Sequence, residues 1–172
     1  MVIPLSEDFL KALHNAVLED DPKAARGYKQ ASMIDGSMQR ALTNVYGYEP
    51  FKGVIDKAAA LMLAINVFHP FTDGCKRTSL LAVYFFLLFN GYQFTITGDM
   101  ATLALKIANR EIQDEVTIAN LLRRNCRNNL ALSLISRFVF SRVYRNVHEN
   151  ELFLTTVVLP LLELTKRIWP KA

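Results

Sequence analysis

Residues 80–89 read LLAVYFFLLF, ten positions without a charge. Taken with their flanks over 75–90, they place apolar side chains on every side of a helix. Such a helix is stable only when other elements surround it, so the segment predicts the central helix of a bundle. It is too short to cross a bilayer, which takes about 20 apolar residues. A second apolar run, 152–162, carries two Thr and Pro160 and is also too short. Gly91 follows the first run as the left-handed residue that ends its helix.

The remaining segments supply helices to pack around that centre. Ser6 reads as an N-cap, with Glu7 and Asp8 in the first turn and Phe9, Leu10, Leu13, Val17 and Leu18 at helical spacing. Asp20-Asp21-Pro22 ends this helix. A loop through Gly27, Tyr28 and Asp35-Gly36 leads to a helix over 38–45, broken by Gly47-Tyr48-Glu49-Pro50. Residues 51–67 read as helix, with Val54, Ala58, Leu61, Met62 and Ile65 inward, and 69–74 as a turn. Further helices are expected over 98–110, over 117–127 with Thr117 as cap, over 129–147 and over 151–168, the last kinked at Pro160. With 172 residues, 51% of them hydrophobic, and no repeat or linker, the chain can fill one core. The expectation is a single all-α domain: a core over 1–125 and a helical extension over 126–172 packed on it.

Charge and cysteine usage exclude several classes. The formal net charge of +4 is uneven, because residues 121–172 hold nine basic and three acidic side chains. Lys and Arg on solvated helix faces produce the same excess, so nucleic-acid binding is not the favoured reading. Cys75 and Cys126 cannot build a disulfide framework, and no second Cys or His pair stands at zinc spacing. The first residues, MVIPLSEDF, lack the basic and long apolar regions of a signal peptide. A cytoplasmic setting without a membrane role is expected. His14 and His148 fall in no constellation and read as structural or surface residues.

The chemistry is concentrated in the turn before the central helix, Phe68-His69-Pro70-Phe71-Thr72-Asp73-Gly74-Cys75-Lys76-Arg77-Thr78. His69 is a proton acceptor near neutral pH held in a short loop. Asp73 is a hard oxygen ligand suited to magnesium. Residues 74–77 open a helix, whose free N–H groups and positive dipole end suit an anion. Lys76 and Arg77 add two cations there, and Arg77 can grip a phosphate with two parallel bonds. Base, metal ligand and phosphate cradle together are what phosphoryl or nucleotidyl transfer requires. The same residues also fit a plain turn, with His69 and Phe71 as packing residues.

The spacing resembles the Fic/Doc family. Fic proteins carry HxFx(D/E)GNGRxxR, and the Doc (death-on-curing) branch carries HxFxDxNKRT; His69, Phe71, Asp73, Lys76, Arg77 and Thr78 match the latter. Asn90-Gly91-Tyr92 resembles the family's helix end, and the order of helices is similar from about Glu7 to Asn125. The resemblance implies a Fic/Doc-type helical bundle using ATP or another nucleotide with Mg2+. His69 would deprotonate a Ser, Thr or Tyr hydroxyl of a target protein, and Asp73 would bind the magnesium. Gly74, Cys75, Lys76 and Arg77 would form the phosphate nest, with Phe71 anchoring the loop. Fic enzymes usually move AMP. The Doc branch, with Lys where Fic has Gly, resembles a protein kinase acting on elongation factor Tu, so Lys76 favours phosphoryl transfer over AMP transfer. A toxin paired with an antitoxin chain is implied.

Two positions depart from the pattern. Cys75 replaces the motif Asn; at a helix N-terminus a thiol's pKa tends to fall, and a thiolate would repel phosphate. That leaves open a degenerate module that binds a nucleotide or partner without chemistry. Leu80 stands where Fic enzymes place a final Arg, as in the Doc branch. Glu149-Asn150 resembles the end of the family's inhibitory motif, but Arg145 replaces its Ser or Thr and Leu80 leaves the Glu no partner, so the likeness reads as coincidence. Upstream, residues 26–37 stand where the family has a flap that aligns its target by strand-like pairing. A hairpin turn at Asp35-Gly36, with Met33 and Ile34 beside it, is expected there, or else an ordinary loop. In the extension, the stripes Leu130, Leu134, Phe138 and Val139, then Leu152, Leu159 and Leu162, are expected to pack on the bundle or on a second copy in a homo-oligomer.

Overall fold

The computed structural model describes residues 2–19, 21 and 23–129, together with 131, 160 and 163. The extension beyond 129 lies almost wholly outside the described residues, as do His148 and Glu149-Asn150. Six helices carry the described part: α1 (Glu7–Glu19), α2 (Ala31–Leu42), α3 (Val54–Phe68), α4 (Cys75–Phe89), α5 (Gly98–Ala108) and α6 (Glu115–Arg124). Two short strands, β1 (Tyr92–Phe94) and β2 (Cys126–Asn128), form an antiparallel pair. The all-α reading holds, and none of the described helices is long and apolar enough to cross a membrane.

The centre is a pair of helices. α4 packs on α1, α3, α5 and β1, as its all-round apolarity requires; α3 packs on α2, α4, α5 and α6. α3 is buried continuously from Lys57 to Asn66, and its Ala58, Ala59, Ala60 and Ala64 let neighbouring helices approach closely. Lys57 is accommodated by an ion pair to Glu49 at 3.3 Å. Between α1 and α4, Phe9 meets Phe85 and Phe89 edge-on, each with ring centroids 5.4 Å apart.

Local signals set most helix ends. Ser6 Oγ accepts the Phe9 N–H at 3.1 Å, as an N-cap does. Gly91 takes the left-handed conformation, φ 84°, just past α4. Before it, the Asn90 side chain ties the N-terminal segment to the helix: Oδ1 accepts from Ile3 N at 2.7 Å, and Nδ2 donates to Ile3 O and Phe86 O.

Three boundary expectations need correction. The cap of α6 is Asp114, whose carboxylate accepts the Thr117 N–H at 2.7 Å; Thr117 lies inside the helix. Residues 126–128 are strand β2 paired with β1, and Asn129 N donates to Gly91 O, where a helix was expected to run to 127. Three-residue strands carry too little alternation to be read from sequence. The third correction concerns 31–37, which are the first half of α2. Met33, Ile34, Asp35 and Gly36 therefore form no hairpin: Ile34 is fully buried, and Ile34, Met38 and Ala41 make a helical stripe. Asp-Gly signals a hairpin only between strand-like flanks; here helical periodicity wins.

Candidate active site

The loop between α3 and α4 is held from below and from the side. At its start His69, the C-cap of α3, adopts φ 47°, and at its end Gly74 adopts φ 74° as N-cap of α4. Left-handed backbone at both ends lets the chain leave one buried helix and enter the next within six residues. Between them Phe71 is fully buried. It pairs antiparallel with Tyr28: Lys29 N donates to Pro70 O at 2.9 Å and Thr72 N to Gly27 O at 3.0 Å. The strand-like element beside the motif is thus Gly27-Tyr28-Lys29, upstream of the expected turn but within the expected 26–37 stretch.

The outer face of the loop carries the chemistry. His69, Thr72 and Asp73 are exposed, and Lys76 and Arg77 are half-buried in the first turn of α4. Partial desolvation, then the charges of Lys29, Lys76 and Arg110, lower the His69 pKa below its ordinary 6.5. The ring is accordingly neutral, and able to accept a proton, at neutral pH. Asp73 Oδ1 accepts the Gly74 N–H at 2.6 Å. Among the described residues no three His, Cys, Asp or Glu side chains cluster as a metal cage. Magnesium on a nucleotide does not need one: a single carboxylate with phosphate oxygens and water suffices, and exposed Asp73 fits that role.

The first turn of α4 offers groups suited to an anion. The first backbone bond into the helix runs from Thr78 N to Gly74 O at 2.9 Å, which leaves the N–H groups of Cys75, Lys76 and Arg77 as the unpaired start of the helix. Arg77 also lies 3.6 Å from Asp21 at the end of α1. Cys75 is only 5% exposed and its thiol donates to Phe71 O at 3.4 Å, turned inward away from that mouth. Burial is the leading influence on it and raises its pKa above 9.0, opposite to the fall expected at a helix N-terminus. The group beside the nest is a neutral thiol, so its charge does not oppose phosphate.

Beneath the loop lie His14, read from sequence as a structural or surface residue, and Asn66, which was not singled out from sequence. His14 of α1 is 1% exposed and stacks on Phe71, with ring centroids 3.9 Å apart and planes 10° from parallel. Its Nδ1 pairs with Thr78 Oγ1 at 3.3 Å. Burial lowers its pKa to about 4, with Asp73 acting upward and Arg77 downward. Asn66 of α3 is likewise buried; it donates to Met62 O at 2.8 Å and to Ser79 Oγ at 2.7 Å, and Ser79 donates to Lys76 O. Both residues stand within apolar stripes, His14 among Leu10, Leu13 and Val17, and Asn66 beside Met62 and Ile65. A polar residue inside such a stripe is the signal that could have marked them.

These features have counterparts in known proteins. The model of the Fic/DOC family matches residues 4–87, which run from before α1 nearly to the end of α4. Toxin Doc of Mycolicibacterium smegmatis is 35% identical over 68 residues, 40% of this chain and 52% of that protein. The chain thus spans about half the length of that relative. The helices that build the loop, and the motif residues on it, are the matched part, and over residues 4–87 the chain matches the Fic/DOC family.

Proposed function

We propose that the protein is a Doc-like transferase that moves a phosphoryl group from ATP to a hydroxyl of a target protein, acting as the toxin of a toxin–antitoxin pair. The observation that carries this reading is the outer face of the 69–74 loop, where a neutral exposed His69 adjoins the open first turn of α4 with Asp73, Lys76 and Arg77.

Each residue has a role that its surroundings support. His69 accepts the hydroxyl proton on Nδ1 or Nε2, which a base held neutral by desolvation and nearby cations can do at physiological pH. The N–H groups of residues 75–77, with Lys76 and Arg77, hold phosphate oxygens and stabilise the charge that develops on them. Asp73 would bind Mg2+ on those phosphates. Magnesium-bound ATP supplies the electrophilic phosphorus; the chain supplies position and charge. Gly27-Tyr28-Lys29, paired with the loop at 70–72, would line up a target segment beside His69.

Lys76, where Fic enzymes carry Gly, favours phosphoryl over AMP transfer, and the inward thiol of Cys75 favours an active site over a degenerate one. The test is transfer from ATP labelled at the γ or the α phosphate, run in parallel on cytoplasmic protein extracts. Label from γ only is expected; label from α only would replace the kinase reading with AMP transfer. Label from neither, with Cys75→Asn equally silent, would leave a binding module. Growth arrest on expression, relieved by a co-expressed neighbouring gene product, is the expected outcome for the toxin role.

A further inference from the structure

We propose that His14 is a positioning residue for the catalytic loop, a role that rests on the reading of His69 as the base. Three motif residues touch or border this one ring. Phe71 stacks on it at 3.9 Å, Thr78 bonds to it at 3.3 Å, and a Cβ added at Gly74 would lie 3.5 Å from its Cε1. The ring is 1% exposed, and its Nε2 has no hydrogen-bond partner.

Packing alone does not account for an imidazole here. A Phe or Leu could fill the space and leave no polar atom stranded, whereas an unsatisfied buried polar atom costs about 1–3 kcal/mol. Leaving a lone pair unmet costs less than leaving an N–H unmet, so the proton belongs on Nδ1, which donates to Thr78 Oγ1. What the imidazole adds is direction. Its flat face sets the depth of Phe71, and its in-plane bond sets the first turn of α4 relative to α1. His69 lies two residues before Phe71, and Asp73 two after it. Lys76 and Arg77 lie just before Thr78. The ring therefore joins the two halves of the site from below without reaching the reacting atoms. A misplacement of about 1 Å in such a site costs roughly 100-fold in rate.

The test removes the bond from each side. His14→Phe keeps a flat ring on Phe71 and drops the bond; Thr78→Val drops it with little change of shape; Thr78→Ser keeps the hydroxyl. Expected for label transfer is a kcat about 10-fold lower in each of the first two, with KM for ATP within about twofold, whichever way each substitution moves the melting temperature. The double variant should be no slower than either single one, and Thr78→Ser should retain most of kcat. Wild-type kcat in a folded His14→Phe or Thr78→Val, or multiplicative losses in the double variant, would overturn the proposal. If the wild-type chain transfers no label, the transferase reading has failed. His14 is then judged by the imidazole C–H resonances of His69: a shift in the variants is expected, and identical resonances refute positioning. Should His14→Phe not fold, Thr78→Val carries both measurements.

Discussion

His69 and His14 lie on opposite sides of one short loop, and their surroundings give them different properties. His69 is exposed, faces Lys29, Lys76 and Arg110, and ends α3 in a left-handed turn. His14 is enclosed by Phe71, Thr78 and the packed face of α1, and its pKa falls to about 4. The same side chain is an exposed neutral imidazole above the loop, the base of the proposed reaction, and a buried neutral ring beneath it. Both pKa values fall with desolvation as the leading cause; three cations add to it at His69, whereas at His14 Asp73 opposes it and Arg77 adds to it. A histidine count alone could not have separated the two.

The widest separation is expected from truncation on each side. His69→Ala should lower label transfer by about 100- to 10,000-fold while leaving urea unfolding nearly unchanged, because the residue is exposed. Loss of stability equal to that of a core variant would erase the distinction between the faces. Phe71→Ala should show the complementary result, a stability loss of about 3–5 kcal/mol by denaturant unfolding, because the ring is fully buried.

The next effect is on pH dependence of stability. Between pH 6.5 and about 4 the unfolded chain protonates His14 and the folded chain does not. Stability should therefore be undiminished by this residue above pH 6.5 and fall by roughly 3 kcal/mol in total as pH drops to about 4. His14→Phe should flatten that part of the curve; an unchanged slope would mean that other groups produce it.

The smallest effect sharpens the electrostatics of the outer face. If neutral His69 is the active form, transfer should fall on acidification with a midpoint below 6.5. Lys29 contributes to that lowering, so Lys29→Ala should move the midpoint upward by at most about half a pH unit. A midpoint that moves down, or a limb above 6.5 in the unaltered protein, would place the charges around His69 differently.

How far the sequence could be read varied with the range of the interaction involved. The 75–90 helix was legible because all-round apolarity is a property of consecutive residues, and α4 is indeed enclosed. The grouping of His69, Asp73, Lys76 and Arg77 on one loop and helix start was legible because they lie within nine positions. The hairpin turn expected at Asp35-Gly36 is absent: the pair carries a turn signal, but the Ile34, Met38 and Ala41 stripe decides for helix. Strand-like pairing at Tyr28 depends on Phe71, 43 residues away, and has no local signature.

Sequence by itself determined a helical bundle, its enclosed helix and the residue types offered at one loop, since periodicity, capping and motif spacing are local. Tertiary structure alone decided what lies beneath that loop. It brought His14 to Thr78 across 64 positions, turned the Cys75 thiol inward so that burial keeps it neutral, and gathered Lys29 and Arg110 around His69. The physical reason is that a side chain's charge state depends on solvent exclusion and neighbouring charge, and both are set by residues distant in the chain.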